Sequence, residues 1–303
     1  VIEVVSPGPL TTVQDLGRPG HAALGVGRSG AADRASLRRA NRLVGNPEGA
    51  AALELTMGGL RVRFSAGARV ALAGAPCPLR AGDRSPAMDE PFELAAGDEL
   101  RVRPPAWGLR TYLAVTGGIA ADPVLGSRST DTLSGLGPAP LRAGHELVVG
   151  TGGELVVGAG GEPVVGTGGE PVVGAGGEPV DASSPPALRV LAGPRQDWFV
   201  AGALDTLCAA EWTVTPRSDR VGLRLDGPRL ERAERGELPP EGMVEGALQV
   251  PPDGRPVLFL ADHPVTGGYP VIAVVAEADV ALAAQARPGS ALRFTEVWSS
   301  GRA

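Results

Sequence analysis

Between residues 150 and 180 the chain reads GTGGELVV, GAGGEPVV, GTGGEPVV and GAGGEPV, an eight-residue unit repeated almost four times. About half of each unit is glycine or proline. A unit this small exposes too little apolar surface to build a packed solenoid from so few copies. Gly-rich polar sequence suits a flexible or extended connection instead. The repeat and the DASSPPA at 181–187 are therefore read as a linker or insertion over 150–187. That segment divides the chain into 1–149 and 188–303, and each side has to bury its own core.

Both sides carry strand-length apolar runs between turn signals. Glycine (45) and proline (29) are heavily over-represented among the 303 residues, which fits a turn-rich, mostly β chain with a few helices. Before the break the candidate strands are Val1–Val5, Ala52–Thr56, Leu60–Phe64, Arg69–Ala73, Glu99–Arg103, Arg110–Thr116 and Glu146–Val149. Leu60-Arg61-Val62-Arg63-Phe64 and Leu100-Arg101-Val102-Arg103 alternate strictly, as half-buried strands do. Asp33 to Val44 reads as a helix: Asp33 can cap it, Leu37, Ala40 and Val44 share a face, and Gly45-Asn46-Pro47 stops it. After the break the pattern returns in Leu188–Leu191, Trp212–Pro216, Val221–Leu225, Ala247–Val250, Val257–Ala261, Val271–Val275 and Ala291–Val297, with helices expected around Asp197–Cys208 and Glu277–Ala286. Arg28-Ser29-Gly30 to Arg34 echoes Arg217-Ser218-Asp219-Arg220, and Ala52–Leu55 with Gly58-Gly59 echoes Ala247–Val250 with Asp253-Gly254. The common order suggests two related β domains, and ligand sites favour domain interfaces.

Several function classes drop out. The chain has no lysine, so it has no Walker A lysine, no Schiff-base lysine and no biotinylated residue of its own. A net charge of −6 and 4% aromatics argue against nucleic-acid binding. No run of about 18 apolar residues suggests a membrane span, and Val1 to Gly20 lacks the pattern of a signal peptide. Cys77 and Cys208 form no CxxC, so a reducing cytoplasm is expected. Cys208 reads as buried and Cys77, between two prolines, as more exposed. His21, His145 and His263 have no metal-ligand spacing, and no metal is expected.

Chemistry-bearing groups concentrate in a few loops. Thr11 to Gly20 packs hydroxyls, an amide, Asp15 and Arg18 around turn residues, which suits either a capped turn or a binding loop. Arg217-Ser218-Asp219-Arg220 sets two guanidinium forks around a carboxylate, fit for an anion or for an ion-paired turn. Gln249 opens a rigid Pro251-Pro252-Asp253-Gly254 turn. Asp262-His263-Pro264-Val265-Thr266-Gly267-Gly268-Tyr269-Pro270 follows a strand, with glycines that admit a ligand to the backbone and acid/base groups around them. Gly117-Gly118 and Gly126-Ser127-Arg128-Ser129-Thr130 form a similar cluster in the first half.

Taken together these segments resemble one family. SPGPLTTVQDLGRPG at 6–20, GVGRSGAADR at 25–34, NRLVGNP at 41–47, YLAVTGGI at 112–119, LGSRST at 125–130, SDRVG at 218–222, GALQVPPDG at 246–254 and TGGYP at 266–270 are similar, in order, to the carboxyltransferase-domain family. That family includes the C component of 5-oxoprolinase, allophanate hydrolase subunit 2, part of urea amidolyase, and an antagonist of a sporulation-kinase inhibitor. The resemblance implies two cyclophilin-like β-barrel domains in tandem. It implies partners, subunits A and B, and ATP as a requirement of the complex that opens 5-oxo-L-proline to L-glutamate. It implies a small-molecule site between the halves, with Asp262, Arg217, Asp219 and Tyr269 in catalytic roles. Asp15, Arg18, Ser29, Asp33, Arg128, Gln249, His263, Thr266, Gly267 and Gly268 would bind substrate. In these roles Arg18 or Arg217 holds the anion, Asp262 handles a proton, and Gly267 and Gly268 supply backbone contacts. Two other readings stay open. One is biotin-dependent carboxyl transfer to urea or a similar amide, with carboxybiotin on a separate carrier. The other is a non-enzymatic module that binds a homologue of the B component. The chain departs from the family at Pro264-Val265, where Gln-Thr is usual, and at Val271, where a basic residue is usual.

Overall fold

A computed structural model describes residues 1–150, 185–233 and 236–297. The octapeptide repeat lies outside the described residues. These form a mostly β structure with three α-helices, as the turn-rich composition suggests. The chain forms two compact units. One comprises Val1–Leu16, Arg34–Thr130 and the chain from Gly137; the other comprises Gly17–Asp33, Asp131–Leu136 and the described residues from 185 onward. The second unit thus takes in two segments from the N-terminal half, for which the apolar pattern gives no sign.

The first unit has two sheets around one core. The six-stranded sheet runs in the order Ile119–Ala120, Glu146–Val149, Ile2–Pro7, Leu60–Phe64, Glu99–Val102, Leu79–Ala81. The five-stranded sheet runs Leu10–Gln14, Ala52–Thr56, Arg110–Val115, Ala68–Gly74, Phe92–Leu94. Ile2, Val4, Val62 and Leu100 of the first sheet share a buried cluster with Val13, Leu55, Leu72 and Leu113 of the second. Strand alternation accounts for this: in Leu60–Phe64 the apolar residues are buried and Arg61 and Arg63 are not. Arg110–Val115 is buried along its whole length, because helix Arg34–Leu43 packs on the other face of its sheet through Leu37 and Ala40.

The second unit is a closed barrel, in the order Ala187–Ala192, Val271–Val275, Ala247–Gln249, Val257–Phe259, Gly222–Asp226, Trp212–Val214, Ala291–Glu296. Parallel pairing of Ala187–Ala192 with Ala291–Glu296 closes it. Closure removes exposed sheet edges and surrounds a core of Leu188, Val190, Leu223, Leu258, Ile272 and Phe294. Strand pairing closes this unit, whereas the first wraps its core between two sheets.

Three expectations need correction. Leu10–Gln14 is a strand paired with Ala52–Thr56 over its full length, where the sequence suggested a turn or loop. The second helix spans only Ala203–Ala209, because Gly202 at its N-terminus is left-handed (φ 85°) and interrupts any helix from Asp197. The two cysteines reverse their expected exposure: Cys77 is buried, its Sγ 3.2 Å from Thr111 Oγ1, and Cys208 is only half-buried. Among the described residues no helix is long and apolar enough to cross a membrane.

Candidate functional site

Strand Val257–Phe259 runs on through Leu260 and Ala261 into the Asp262–Pro270 loop, and strand Gly222–Asp226 is preceded by Arg220. Their backbones are bonded here: Leu260 N–H donates to Val221 O (3.0 Å) and Asp262 N–H to Arg220 O (3.0 Å). This register sets the two side chains together. Arg220 Nε donates to Asp262 Oδ2 at 2.9 Å and its Nη2 to Oδ1 at 3.1 Å, a two-armed pair. Each residue is 2% exposed.

That carboxylate also gathers two segments from far along the chain. Ser29 Oγ donates to Asp262 Oδ1 at 2.6 Å, and Thr132 donates to Oδ2 through both its backbone N–H (2.9 Å) and Oγ1 (2.7 Å). Arg220 Nη2 donates on to Gly30 O at 2.6 Å. Burial pushes the Asp262 carboxyl up. The Arg220 charge and the hydrogen bonds from Arg220, Ser29 and Thr132 outweigh it and hold the group below the usual carboxylate range. Asp262 is thus a permanent anion at neutral pH, enclosed by donors of the protein itself.

What it holds is a strained turn. Ser29 adopts φ 53° and Gly30 φ 92°. A left-handed conformation is uncommon for serine, and such residues collect at functional sites when their surroundings impose them. Arg18 N–H donates to Arg28 O at 2.8 Å, closing the loop on itself. Gly17 allows this approach: a Cβ there would lie 2.5 Å from both Arg28 O and Ser29 O, and its φ is 83°. Arg18 is 1% exposed, and Asp33 accepts from Gln285 Nε2 at 2.7 Å. Ser29, Thr132, Arg220 and Asp262 therefore form one buried polar assembly of the second unit, and Arg18 and Asp33 are buried in the same unit.

The rest of the Asp262–Pro270 loop builds an outer edge. Thr266–Gly267 pairs with Glu241–Gly242. Gln249 Nε2 donates to Tyr269 O at 3.1 Å and lies 3.8 Å from Met243 Sδ. A Cβ on Gly267 would meet Gln249 Nε2 at 2.4 Å, so a side chain here would force Gln249 to shift. Thr266, Gly268 and Tyr269 are exposed, and the His263 ring stacks on Phe259 with centroids 6.1 Å apart.

Arg217 and Asp219 lie apart from this assembly. Asp219 Oδ1 accepts from the backbone of Val221 (2.8 Å) and Gly222 (3.2 Å), so its carboxylate shapes the turn into the strand. Arg217 lines a cleft of about 180 Å³ with Arg224, Arg255 and Asp253. Arg217 and Arg224 make no ion pair among the described residues.

In the first unit Asp15 organises its own loop. Oδ1 accepts from Ser127 Oγ (2.6 Å) and Ser129 Oγ (2.5 Å), and Oδ2 accepts from Arg128 N–H (2.6 Å). The Arg128 side chain is left exposed on a loop that turns through left-handed Leu125 and Gly126. Gln14, fully buried beside it in sequence, donates to Thr12 Oγ1 and Thr130 O.

Thr132 and Gln285 were not singled out by sequence reasoning, and Gln14 stood there only as one member of its polar loop. Arg220 was in view as one of two forks around Asp219, but the carboxylate it meets is Asp262. Thr132 carries no local signal at all.

Comparison with known proteins shows the family of the chain. The chain is 35% identical over 299 residues to the C component of 5-oxoprolinase from Escherichia coli (strain K12), covering 98% of this chain and 91% of that protein. The crystal structure of TTHA0988 superposes with a TM-score of 0.81 at 36% identity, over 97% of this chain and 55% of that one. The crystal structure of the K. lactis urea amidolyase superposes with a TM-score of 0.83 at 30% identity, over 98% of this chain and 19% of that one. The chain thus spans about half of the one solved protein and about a fifth of the other. Residues 24–296 match the family described as carboxyltransferase domain, subdomain A and B, and this chain belongs to that family.

Proposed function

We propose that this chain is the C component of an ATP-dependent 5-oxoprolinase, acting with subunits A and B to convert 5-oxo-L-proline to L-glutamate in the cytoplasm. The observation that carries the reading is the near full-length match, in both directions, to a protein of that name. An unstrained lactam resists hydrolysis, and ATP, bound in the complex, supplies activation of the amide oxygen. This chain's part is positional and electrostatic. The braced Ser29–Gly30 turn and the Gln249–Gly267 contact fix backbone around a small ligand. Within the second unit, Arg217 and Arg224, free of ion pairs among the described residues, are the groups suited to an anion. Asp262 is a positioning residue in this reading, since Ser29, Thr132 and Arg220 donate to both its oxygens.

The likeness to urea amidolyase favours one second reading, carboxyl transfer to urea or a similar amide. Because the chain has no lysine, carboxybiotin would arrive on a separate carrier.

The test is glutamate release from 5-oxoproline by the chain purified with its subunits A and B, with and without ATP. Release that needs ATP and stops when this chain is omitted supports the proposal. An assembled complex that releases none refutes it and moves the search to carboxyl transfer. Asp262→Asn separates positioning from proton transfer: residual activity that keeps the wild-type pH profile marks positioning, and loss of one limb of that profile marks proton transfer.

A further inference from the structure

The six-stranded sheet of the first unit buries one face and exposes the other. On the exposed face strand register sets Arg61 opposite Arg101, and Arg101 opposite Arg80. Three arginines therefore stand in a row across adjacent strands, spanning about 10 Å at the usual strand spacing. Arg103 follows two residues beyond Arg101, on the same side of the chain. Arg80, Arg101 and Arg103 line a shallow cleft of about 270 Å³ with Glu99 and Gly82.

One carboxylate serves the row. Glu99 Oε1 accepts from Arg61 Nε (2.9 Å) and Arg101 Nε (2.8 Å), while Oε2 accepts from Arg63 Nη2 at 3.4 Å. Among the described residues the Arg80 side chain reaches only Ser85 Oγ, at 3.2 Å. Arg80 and Arg103 make no ion pair among the described residues. Like charges directly opposite one another destabilise a sheet. The row is all the more unusual in a chain with 34 acidic residues against 28 basic ones. Its register holds the guanidinium groups on rigid strands rather than on a loop, so little order is lost when they are met by acceptors.

We propose that this arginine row is the docking face for an acidic surface of a partner protein of the complex, an inference that rests on the multi-component reading above. Arginine is enriched in protein interfaces and pairs two-armed with carboxylates, and a flat sheet face suits a protein surface better than a small ligand. The occupant presents carboxylates at strand-like spacing against Arg61, Arg101 and Arg80.

The test measures binding of the purified full chain to subunits A and B at 50 and 300 mM salt. Variants are Arg80→Glu, Arg80→Glu/Arg101→Glu and Arg80→Gln/Arg101→Gln, with Arg229→Glu in the second unit as control. The expected result is wild-type affinity that falls with salt, at least a hundredfold loss for the double reversal at low salt, and at least a tenfold loss for the double glutamine. Arg229→Glu binds as wild type. Thermal stability of Arg80→Glu holds or rises, because an acid opposite Arg101 replaces repulsion with attraction; lost binding with retained stability excludes misfolding as the cause. Wild-type assembly that ignores every row variant overturns the docking face and leaves the multi-component reading intact. Absence of any wild-type complex overturns both. Self-association of the lone chain that the double reversal abolishes also overturns it, by making a second copy the occupant.

Discussion

Replacing Asp262 with alanine leaves Arg220 charged, 2% exposed and without its carboxylate. Breaking a buried ion pair from one side costs about 3–5 kcal/mol, because the surviving charge has no solvent to turn to. Ser29 Oγ and the Thr132 N–H lose their acceptor too, and a buried donor left unmet costs about 1–3 kcal/mol. These terms overlap, since all belong to one network. A total of about 4–6 kcal/mol is comparable with the whole stability of a domain, about 5–15 kcal/mol. At about 2–4 °C per kcal/mol for a domain of this size, the second unit should melt roughly 8–24 °C lower. Urea unfolding followed by fluorescence of Trp212, buried in that unit's core, measures the loss. Hydrogen exchange at the Thr132 amide shows whether that segment comes free. The double replacement Arg220→Met/Asp262→Leu should recover much of the stability, because it removes the desolvation cost along with the pair. A cost below about 1 kcal/mol for Asp262→Ala, the level of a surface pair, would refute the reasoning.

Three other outcomes follow from the same structure. Gly267→Ala places a methyl 2.4 Å from Gln249 Nε2; KM should rise and activity fall at least tenfold in the assembled complex, with thermal stability lowered by about 1–3 kcal/mol as for other overpacking changes. Asp15→Ala removes the acceptor of Ser127, Ser129 and the Arg128 amide; it should destabilise the first unit by about 1–3 kcal/mol and raise proteolysis after Arg128. The carboxyls of Asp262 and Asp279 are both held low, against burial, the first by Arg220 and the second by its bonds from Arg189. Groups depressed in the folded state stabilise it above the ordinary value of 3.8, and that stabilisation is lost as pH falls below it. Melting temperature should therefore be flat near neutrality and drop below about pH 4, and Asp279→Asn should reduce that acid slope.

Much of the fold is legible in the residues because it depends on local periodicity. Leu60–Phe64 alternates in sequence and in burial alike, and Leu37, Ala40 and Val44 share one buried helix side as their spacing requires. The glycine-rich 150–180 stretch marks a break in composition, but Gly17–Asp33 and Asp131–Leu136, which precede it, belong to the second unit. The shorter strands escape, because two or three residues such as Thr266–Gly267 or Leu79–Ala81 carry no period. Leu10–Gln14 escapes for a different reason: its threonines and Gln14 are polar yet buried, so binary patterning reads them as loop.

The site divides the same way. Sequence by itself determined which residue types gather in which segments: Arg18, Ser29, Asp33, Asp262 and the Gly267-Gly268 pair all stand out as dense polar loops. It also excluded lysine chemistry outright. Only the tertiary structure decided what those groups do to one another. Asp262 lies more than a hundred residues from Ser29 and from Thr132, and no local rule pairs them. Strand register sets Arg220 against Asp262, and a buried guanidinium and a buried carboxylate then have to neutralise each other. In the first unit, the register of the six-stranded sheet sets Arg61, Arg101 and Arg80 side by side, a row that periodicity along any single strand does not reveal. Spacing within a segment is written in the chain, but contact between distant segments follows from how strands pair.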